Sequence, residues 1–260
     1  MPKGADVFIQ KITKEAGAAV LKRFGKEGVH YAKSSHRADA VTKADLMSDK
    51  MITSAIKEHY PTHGIIAEES GAHNVDAEYV WVIDPIDGTL NYSLGVPMFG
   101  VMVCLMRRKK VVLSAVYLPV RNEMFFAKQG KGTFLNGKKV HCSRTMDFGR
   151  SFGVGSMSFR TKFVKFMKKF ADVADRKHNM MYGAFGSMAD NACYVACGKR
   201  DWMVSMSGQN HDFAPISLLL KEAGCKVTDA KGRPWKFGAL EMIAANPKLH
   251  KELLKLTKNL

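Results

Sequence analysis

The segment from residue 81 to residue 91 joins a run of apolar residues to two closely spaced acids. It reads Trp-Val-Ile-Asp-Pro-Ile-Asp-Gly-Thr-Leu-Asn, and the acids are Asp84 and Asp87. Ending an apolar strand on two carboxylates is costly, because unpaired charges resist leaving water. A divalent cation is the simplest compensation, and carboxylate oxygens suit a hard ion such as Mg2+. An acidic turn with a capping Asp is the alternative, and the pattern favours the metal.

The residues between and after these acids favour convergence on one point. Pro85 fixes its own φ and biases Asp84 towards an extended conformation, so both carboxylates and the Ile86 carbonyl can point to one ion. Gly88 and Thr89 follow at a predicted helix start, where backbone N–H groups can bind an anion such as phosphate. The segment therefore predicts a site that takes a cation and a phosphate together.

A second apolar stretch, residues 64–70, also ends in acids, Glu68 and Glu69. Around both acid-ended strands, no Lys or Arg occurs between Lys57 and Arg107, a gap of 49 positions in a chain with 40 basic residues. A lysine in this stretch would compete with a metal ion for the carboxylates. The two strand ends therefore predict one shared cation site.

A third acid, Asp212, lies far downstream at the start of a predicted buried helix. The apolar spacing over 213–220 and the stop at Gly224 indicate that helix. Taken alone, an N-cap is the better interpretation of Asp212. Taken with the other two segments, a metal-ligand role is favoured.

Together these motifs resemble the inositol monophosphatase family, within the lithium-sensitive, Mg2+-dependent sugar and nucleotide phosphatases. The resemblance rests on Ala67-Glu68-Glu69-Ser70, on Asp84-Pro85-Ile86-Asp87-Gly88-Thr89, and on the Asp212 helix that ends Glu222-Ala223-Gly224. Upstream, Lys33-Ser34-Ser35 and Val41-Thr42-Lys43-Ala44-Asp45 resemble the mobile loop and following helix start of the family. The motifs occur in family order along nearly the whole chain.

The resemblance implies a ligand set for the metal. It assigns Glu68, Asp84 and the Ile86 carbonyl to a first Mg2+, and Asp84, Asp87 and Asp212 to a second. A weaker third ion would be reached from Glu68 through water, and Mn2+ would substitute for Mg2+.

It also implies catalytic and substrate-binding residues. Thr89, paired with Asp45, would orient and deprotonate the attacking water, and Glu69 would support the metal ligands. Without the resemblance, Asp45 would simply be an acid near a helix N-terminus. The predicted substrate-binding residues are Asp87, Gly88, Thr89, Gly186, Ser187, Met188, Ser205 and Asp212.

Four positions depart from the family pattern. His211 stands where the family often has Trp, Ser205 where an acid contacts inositol hydroxyls, and Met188 where a small residue is usual. Cys225 stands where the family has a second glycine after Glu-Ala-Gly. Serine reaches less far than a carboxylate and carries no charge, so it is a weaker acceptor for ring hydroxyls. We expect intact catalysis and no strong preference for myo-inositol, so the substrate stays open among small phosphate esters.

Composition favours a cytoplasmic enzyme with no membrane span. The first ten residues lack the apolar core of a signal peptide, and no apolar run approaches the length of a transmembrane helix. The five cysteines are widely spaced, which favours reduced thiols over a disulfide framework. Cys193 and Cys197 could face one zinc ion, but a core role is favoured because no further ligands are suitably spaced.

The formal net charge of +16 leaves a second function open. Between Arg107 and Lys177 there are 18 basic and 4 acidic residues, and such a field attracts anionic substrates or nucleic acid. The lysines over 159–170 are also what a solvated helix face contains. No RNA-recognition motif is present, so a binding protein on a phosphatase scaffold is the alternative to the enzyme.

The pattern predicts a mixed α+β and α/β fold. Expected helices cover 6–25, 42–60, 159–170, 186–197 and 247–256, with another from 212; expected strands include 98–105, 111–117, 123–127, 152–154, 180–182 and 202–206. An α+β lobe over 1–145 and an α/β lobe over 146–260 would form one catalytic unit. The resemblance implies a layered αβαβα sandwich of the sugar phosphatase type, with the site between the lobes, commonly in a homodimer.

Overall fold

The computed structural model describes residues 1–26, 28–33, 40–156, 161–177, 179–258 and 260. Seven α-helices lie in these ranges, besides two short 3-10 turns: α1 (Ala5–Arg23), α2 (Lys43–His59), α3 (Thr89–Ser93), α4 (Thr161–Lys177), α5 (Met188–Ala196), α6 (Asn210–Glu222) and α7 (Pro247–Thr257). No helix among the described residues is both long and apolar enough to cross a membrane.

Fifteen strands are present in the same ranges: β1 (Tyr31–Ala32), β2 (Ala40–Val41), β3 (Gly64–Ala67), β4 (Gly71–His73), β5 (Tyr79–Asp87), β6 (Gly100–Arg107), β7 (Lys110–Leu118), β8 (Glu123–Lys128), β9 (Gly132–Leu135), β10 (Lys138–Val140), β11 (Phe152–Val154), β12 (Met181–Gly183), β13 (Trp202–Ser205), β14 (Lys226–Thr228) and β15 (Met242–Ala245). Strands β1 and β2 form a small antiparallel pair, and the others form two sheets.

The larger sheet has eight strands in the order β10-β9-β8-β7-β6-β5-β3-β4. Its pairs are antiparallel except for β3 and β5, which run parallel. Because parallel neighbours end at the same edge of a sheet, the acids after β3 and at the end of β5 come together. This pair is the reason that two acid-ended strands serve one site.

The smaller sheet has five strands in the order β12-β11-β13-β15-β14. Its central strand β13 is buried on both faces. Met203 packs towards the helices between the sheets, whereas Trp202 and Val204 pack towards the outer helices. This alternation is the two-residue period of a strand.

Helices and sheets alternate in five layers. Helices α1 and α2 cover one face of the eight-stranded sheet, and α5 and α6 lie between the two sheets. Helices α4 and α7 cover the outer face of the five-stranded sheet. The predicted αβαβα sandwich of mixed class is confirmed.

The chain leaves the larger sheet after Val140 and enters the smaller one at Phe152. The division into lobes at 145 and 146 stays a prediction, because α6 also packs on strands of the first sheet.

Element boundaries differ from the expected ones mainly at helix starts. Helix α6 begins at Asn210, so Asp212 is its third residue and the N-cap interpretation is wrong. Helix α5 begins at Met188, because Gly186 has a left-handed φ of 70° and Ser187 caps the helix. The predicted start of α4 at 159 lies outside the described residues.

Candidate functional site

A pocket of about 360 Å³ opens where the three acidic segments meet. It contains all the predicted metal-binding residues and, among the predicted substrate-binding ones, every residue except Ser205. Its acidic wall consists of Glu68, Asp84, Ile86, Asp87 and Asp212. Its neutral wall consists of Ser156, Gly186, Ser187, Met188 and Asn191.

Strand β5 positions the acidic wall through an irregularity in its pairing. The register with β6 shifts between Asp84 and Asp87, which is the bulge that lets both side chains serve one site. The hydroxyl of Ser48 in α2 donates to the Pro85 carbonyl at 2.9 Å and anchors the bulge from the layer behind. Bulges of this kind re-aim side chains at functional sites.

The carboxylates form two overlapping clusters that share Asp84. One ligand atom from each of Asp84, Asp87 and Asp212 lies within 4.8 Å of the others. The same holds for Glu68, Asp84 and His211. Since Asp84 belongs to both clusters, it is the group at which two neighbouring cations would meet.

Burial makes these carboxylates resist ionisation. Asp84 is 1% exposed, and burial followed by the charge of Glu68 holds its pKa well above the usual value. Burial raises the pKa of Asp87 to about 7 and that of Asp212 to about 6. The electrostatic cost of this cluster is what a bound divalent cation would remove.

The residues present fit a hard divalent cation. Within the described chain the buried Asp84 Oδ1 has no hydrogen-bond partner, so an acceptor is available inside the cluster. Most of the other potential ligand atoms are carboxylate oxygens and the Ile86 carbonyl oxygen, the ligands that Mg2+ and Mn2+ prefer. The His211 ring is the one nitrogen ligand in the two clusters.

Asp87 also holds the start of α5. Its carboxylate accepts from the Ser187 hydroxyl at 2.5 Å and from the backbone N–H groups of Met188 at 3.0 Å and Ala189 at 2.8 Å. These N–H groups have no partner inside their own helix. The interaction joins the end of β5 to the neutral wall across about one hundred residues of sequence.

Asp212 and its neighbour lie in the first turn of α6. The Asp212 carboxylate accepts from the backbone N–H of Gln209 at 2.5 Å. His211 Nε2 lies 3.8 Å from Glu68 Oε1. The turn therefore places an acid on the pocket wall and an imidazole beside Glu68.

A lysine reaches the acidic wall from a distant part of the chain. Lys33 Nζ lies 3.0 Å from Glu68 Oε1 and 2.7 Å from Glu69 Oε1. The sequence around these acids contains no basic residue, but the fold brings a lysine from elsewhere in the chain into contact with them. Ser34 and Ser35, expected in the same loop, lie outside the described residues.

Glu69 contacts Lys33 through its carboxylate. Its side chain is 4% exposed, and burial is the largest cause that raises its pKa, opposed by the hydrogen bond from Lys33. It does not line the pocket, which agrees with a supporting role beside the metal ligands.

Thr89 and Asp45 form the predicted pair. The Thr89 hydroxyl lies 3.1 Å from Asp45 Oδ1 and 2.8 Å from the Ile86 carbonyl oxygen, and it can donate to either. Asp45 is buried at the third position of α2, and its other oxygen accepts from the Thr42 backbone at 2.8 Å. The capping role and the pairing with Thr89 therefore coexist, and burial raises the pKa of Asp45 to about 6.

Gly88 requires glycine for two reasons. Its φ of 86° is left-handed, and a Cβ there would lie 3.0 Å from the Met98 carbonyl oxygen and 3.1 Å from the Ser187 Cβ. Asn91 donates to the carbonyls of Met98 at 2.8 Å and Phe185 at 2.7 Å, and so fixes the loop before α5.

Ser205 lies behind the pocket rather than on its surface. It is fully buried, its hydroxyl is 2.6 Å from that of Ser156, and Ser156 lines the pocket in its place. A contact between Ser205 and substrate would thus pass through Ser156.

Six residues near the pocket were not predicted as site residues, namely Lys33, Leu90, Asn91, Ser156, Asn191 and His211. Leu90, Asn91, Asn191 and His211 lie within three residues of predicted site residues, and Lys33 lies in a motif of the resemblance. Ser156 had no such signal in the sequence.

The comparisons with known proteins agree with this geometry. The model of the inositol monophosphatase family matches residues 4–260. The chain belongs to the inositol monophosphatase family. Among family members, the fructose-1,6-bisphosphatase/inositol-1-monophosphatase of Aquifex aeolicus is 33% identical over 254 residues, covering 96% of this chain and 94% of that protein.

Two further relatives indicate the breadth of the family. The putative Nus factor SuhB of Neisseria meningitidis serogroup B is 31% identical over 253 residues, covering 95% of each chain. The structure of the Thermotoga maritima IMPase matches with a TM-score of 0.85 and 30% identity, covering 96% of this chain and 95% of that one. The family fold supports a phosphatase scaffold. Some of these relatives are named as phosphatases and others as Nus factors.

Proposed function

We propose that this chain is a Mg2+-dependent phosphomonoesterase that hydrolyses a small sugar, inositol or related phosphate. The observation that carries the proposal is the pair of clusters sharing Asp84, in a pocket of about 360 Å³. A cluster of buried carboxylates destabilises a protein unless it binds something positive. A phosphate ester brings negative charge to the same pocket, and cations between the two would neutralise both.

Each metal-binding residue has a proposed place. Glu68, Asp84 and the Ile86 carbonyl would hold one ion, and Asp84, Asp87 and Asp212 would hold another, with Mn2+ able to replace Mg2+. A weaker third ion would be held from Glu68 through water. When bound, these ions supply charge neutralisation for the phosphoryl group and acidify water at neutral pH.

Thr89 and Asp45 would handle the proton of the attacking water. With its hydrogen donated to Asp45 at 3.1 Å, the Thr89 oxygen keeps lone pairs to accept a hydrogen bond from that water. The pKa of Asp45 is about 6, so its carboxylate is mostly ionised above neutral pH and can take up a proton. The backbone N–H groups of Gly88 and Thr89 would bind phosphate oxygens.

The neutral wall would contact the rest of the substrate. Met188 occupies space at the start of α5, and Ser156 with Ser205 behind it offers hydroxyls where a carboxylate is usual in the family. Gly186 and Ser187 form the turn that leads into α5. Such a wall favours a small polyol phosphate without selecting inositol.

Phosphate release from a panel of monoesters tests the proposal. The panel contains inositol 1-phosphate, fructose 1,6-bisphosphate, histidinol phosphate, NADP and adenosine 3',5'-bisphosphate, each with Mg2+ and with EDTA. We expect at least one substrate to be hydrolysed only with Mg2+, and Asp87→Asn to remove that activity. Mg2+-independent release, or full activity in Asp87→Asn, would contradict the ligand assignment.

A second candidate function is macromolecular binding through the basic region 107–177. The relative from Neisseria is named a putative Nus factor, and α4 exposes Lys162, Lys165 and Lys168 while it buries Phe163 and Phe166. This function predicts polynucleotide affinity that falls steeply with salt and is unaffected by Asp87→Asn. Weak binding that is equal at low and high salt would exclude it.

We also propose a homodimer, because the resemblance that supports the enzyme implies one. Sedimentation equilibrium at micromolar protein would give a mass near twice 28.9 kDa. A mass of one chain over that range would contradict it.

A further inference from the structure

His211 lies in one of the two clusters of the pocket, although it replaces a residue that is often Trp in the family. One ring nitrogen, one Glu68 oxygen and one Asp84 oxygen lie within 4.8 Å of one another. The distance from Nε2 to Glu68 Oε1 is 3.8 Å, which is too long for a hydrogen bond and leaves room for an ion bound to both. This cluster therefore differs from the all-carboxylate cluster of Asp84, Asp87 and Asp212.

The His211 ring is available to a metal ion. Its side chain is 18% exposed and lies beside Glu68. The ring makes no hydrogen bond to the described part of the chain, so no such bond commits either nitrogen. A ring nitrogen can therefore face an ion held by Glu68 and Asp84.

Two other groups indicate that a cation belongs beside His211. Asp84 is 1% exposed, and its Oδ1 is buried without a hydrogen-bond partner in the described chain. The Lys33 ammonium lies 3.0 Å from the same Glu68 oxygen that faces the His211 ring. A positive group thus already contacts this oxygen, and a metal ion would displace it.

We propose that His211 supplies a nitrogen ligand to the cation held by Glu68 and Asp84. The site then has a mixed nitrogen and oxygen ligand set. Imidazole favours borderline transition ions over Mg2+, so this cluster would prefer Mn2+, Co2+ or Zn2+ to Mg2+. The inference rests on the proposed function only in requiring that the same pocket binds divalent cations.

Pulsed electron paramagnetic resonance of bound Mn2+ tests the nitrogen ligand directly. We expect 14N modulation of the spin echo in the wild-type protein, and its replacement by 15N modulation when only histidine is 15N-labelled. The signal should be absent from His211→Gln and unchanged in His73→Gln, a control on the exposed strand β4. Because the labelling experiment uses the wild-type chain, it does not depend on how the variant folds.

Calorimetric affinities provide a second readout. His211→Gln should weaken Mn2+ binding by about tenfold or more, since even outer partners of metal ligands change affinity by that amount. Mg2+ binding should change by less than about threefold, because Mg2+ prefers oxygen ligands. Equal losses for the two ions would overturn the preference for borderline ions.

The outcomes separate this inference from the proposed function. Bound Mn2+ without histidine nitrogen modulation would overturn the role of His211 and leave a carboxylate metal site in place. Absence of any Mn2+ or Mg2+ binding would overturn both. Histidine modulation that persists in His211→Gln would assign the nitrogen to another ring and also reject the inference.

Discussion

The two walls of the pocket were built from the chain in different ways. The acidic wall takes Asp84, Ile86 and Asp87 from four consecutive residues and Glu68 from the end of the parallel neighbour strand. Only Asp212, in the first turn of α6, comes to it from a distant part of the chain. The neutral wall takes Ser156 from beyond β11 and four residues from the start of α5. Potential metal ligands that lie together at one strand end can be predicted from the sequence. Residues that would contact the substrate cannot, because their positions depend on how separate elements pack.

The two walls meet at Asp87, which makes that residue different from Asp84. Both oxygens of Asp87 receive hydrogen bonds from the start of α5, whereas Asp84 Oδ1 has no partner in the described chain. The Asp87 carboxylate is therefore stabilised by protein groups, whereas Asp84 Oδ1 has no such stabilisation in the described chain. Substitutions at these two residues should therefore differ in their effect on stability.

Asp84→Asn should lower turnover by about three orders of magnitude or more, because it removes the ligand shared by both clusters. With EDTA at pH 7.5 the same change should raise the free energy of unfolding by about 1–3 kcal/mol, since a buried charge is removed. Phosphate release and urea unfolding measure the two effects.

The matched variants are Asp87→Asn and the exposed Asp76→Asn. Asp87→Asn should also lose turnover but gain less stability, because it weakens the hydrogen bonds to Ser187 and α5. Asp76→Asn should change neither. A stability gain in Asp87→Asn equal to that in Asp84→Asn would contradict the contrast.

Thr89→Ala should lower kcat by about a hundredfold, because it removes the hydroxyl between Asp45 and the attacking water. Thr89→Ser keeps the hydroxyl and should retain most activity. The rise in melting temperature caused by Mg2+ should be the same in all three proteins. Loss of that rise in Thr89→Ala would mean that Thr89 acts in metal binding rather than on water.

The chelated protein should lose stability as pH rises from about 4 to about 7. The pKa values of Asp45, Asp87 and Asp212 are raised in the folded state to about 6, about 7 and about 6, from 3.8. In that window the folded protein binds more protons than the unfolded chain, so the free energy of unfolding falls with pH. Urea titrations in EDTA at successive pH values measure the slope.

Saturating Mg2+ should reduce this fall, because the ion compensates the ionised carboxylates. Stability in EDTA that is flat, or that rises from pH 4 to pH 7, would contradict the pKa directions.

Met188→Ala should change substrate preference by about tenfold or less, the usual size of an effect from pocket volume. Met188 is buried at the start of α5, so the variant should also lose about 1–3 kcal/mol of stability. Ratios of kcat/KM across the substrate panel measure the preference. A loss of Mg2+ dependence would contradict the separation of the two walls.

Local sequence predicted most of the acidic wall because Asp84, Ile86 and Asp87 are adjacent at one strand end, where Pro85 restricts their directions. Asp212 lies in α6, and its ligand role was predicted only together with the other segments. The layered fold was predicted from the resemblance, and most helix cores from apolar spacing. The start of α6 was misplaced by two residues, since Asp212 can occupy either the N-cap or the third position of a helix. Strand boundaries shifted by one or two residues for similar reasons.

Contacts between distant elements could not be predicted. Lys33 contacts Glu68, which is 35 residues away in the sequence. Ser156 occupies the pocket position that was expected of Ser205, which is 49 residues away in the sequence. Neither pair has a local pattern, because both depend on loop paths that packing decides. His211 is intermediate, since its neighbour Asp212 placed it near the predicted metal site but gave no reason to expect a ligand.

Calorimetric titration of Mg2+ at pH 6.5 tests the central claim most directly, namely that buried, partly protonated carboxylates sharing Asp84 bind divalent cations. Performed in two buffers of different ionisation enthalpy, it also counts protons. The account predicts saturable binding with net proton release in the wild-type protein, and loss of both in Asp84→Asn. Absence of binding, or binding and proton release that are unchanged in Asp84→Asn, would contradict it.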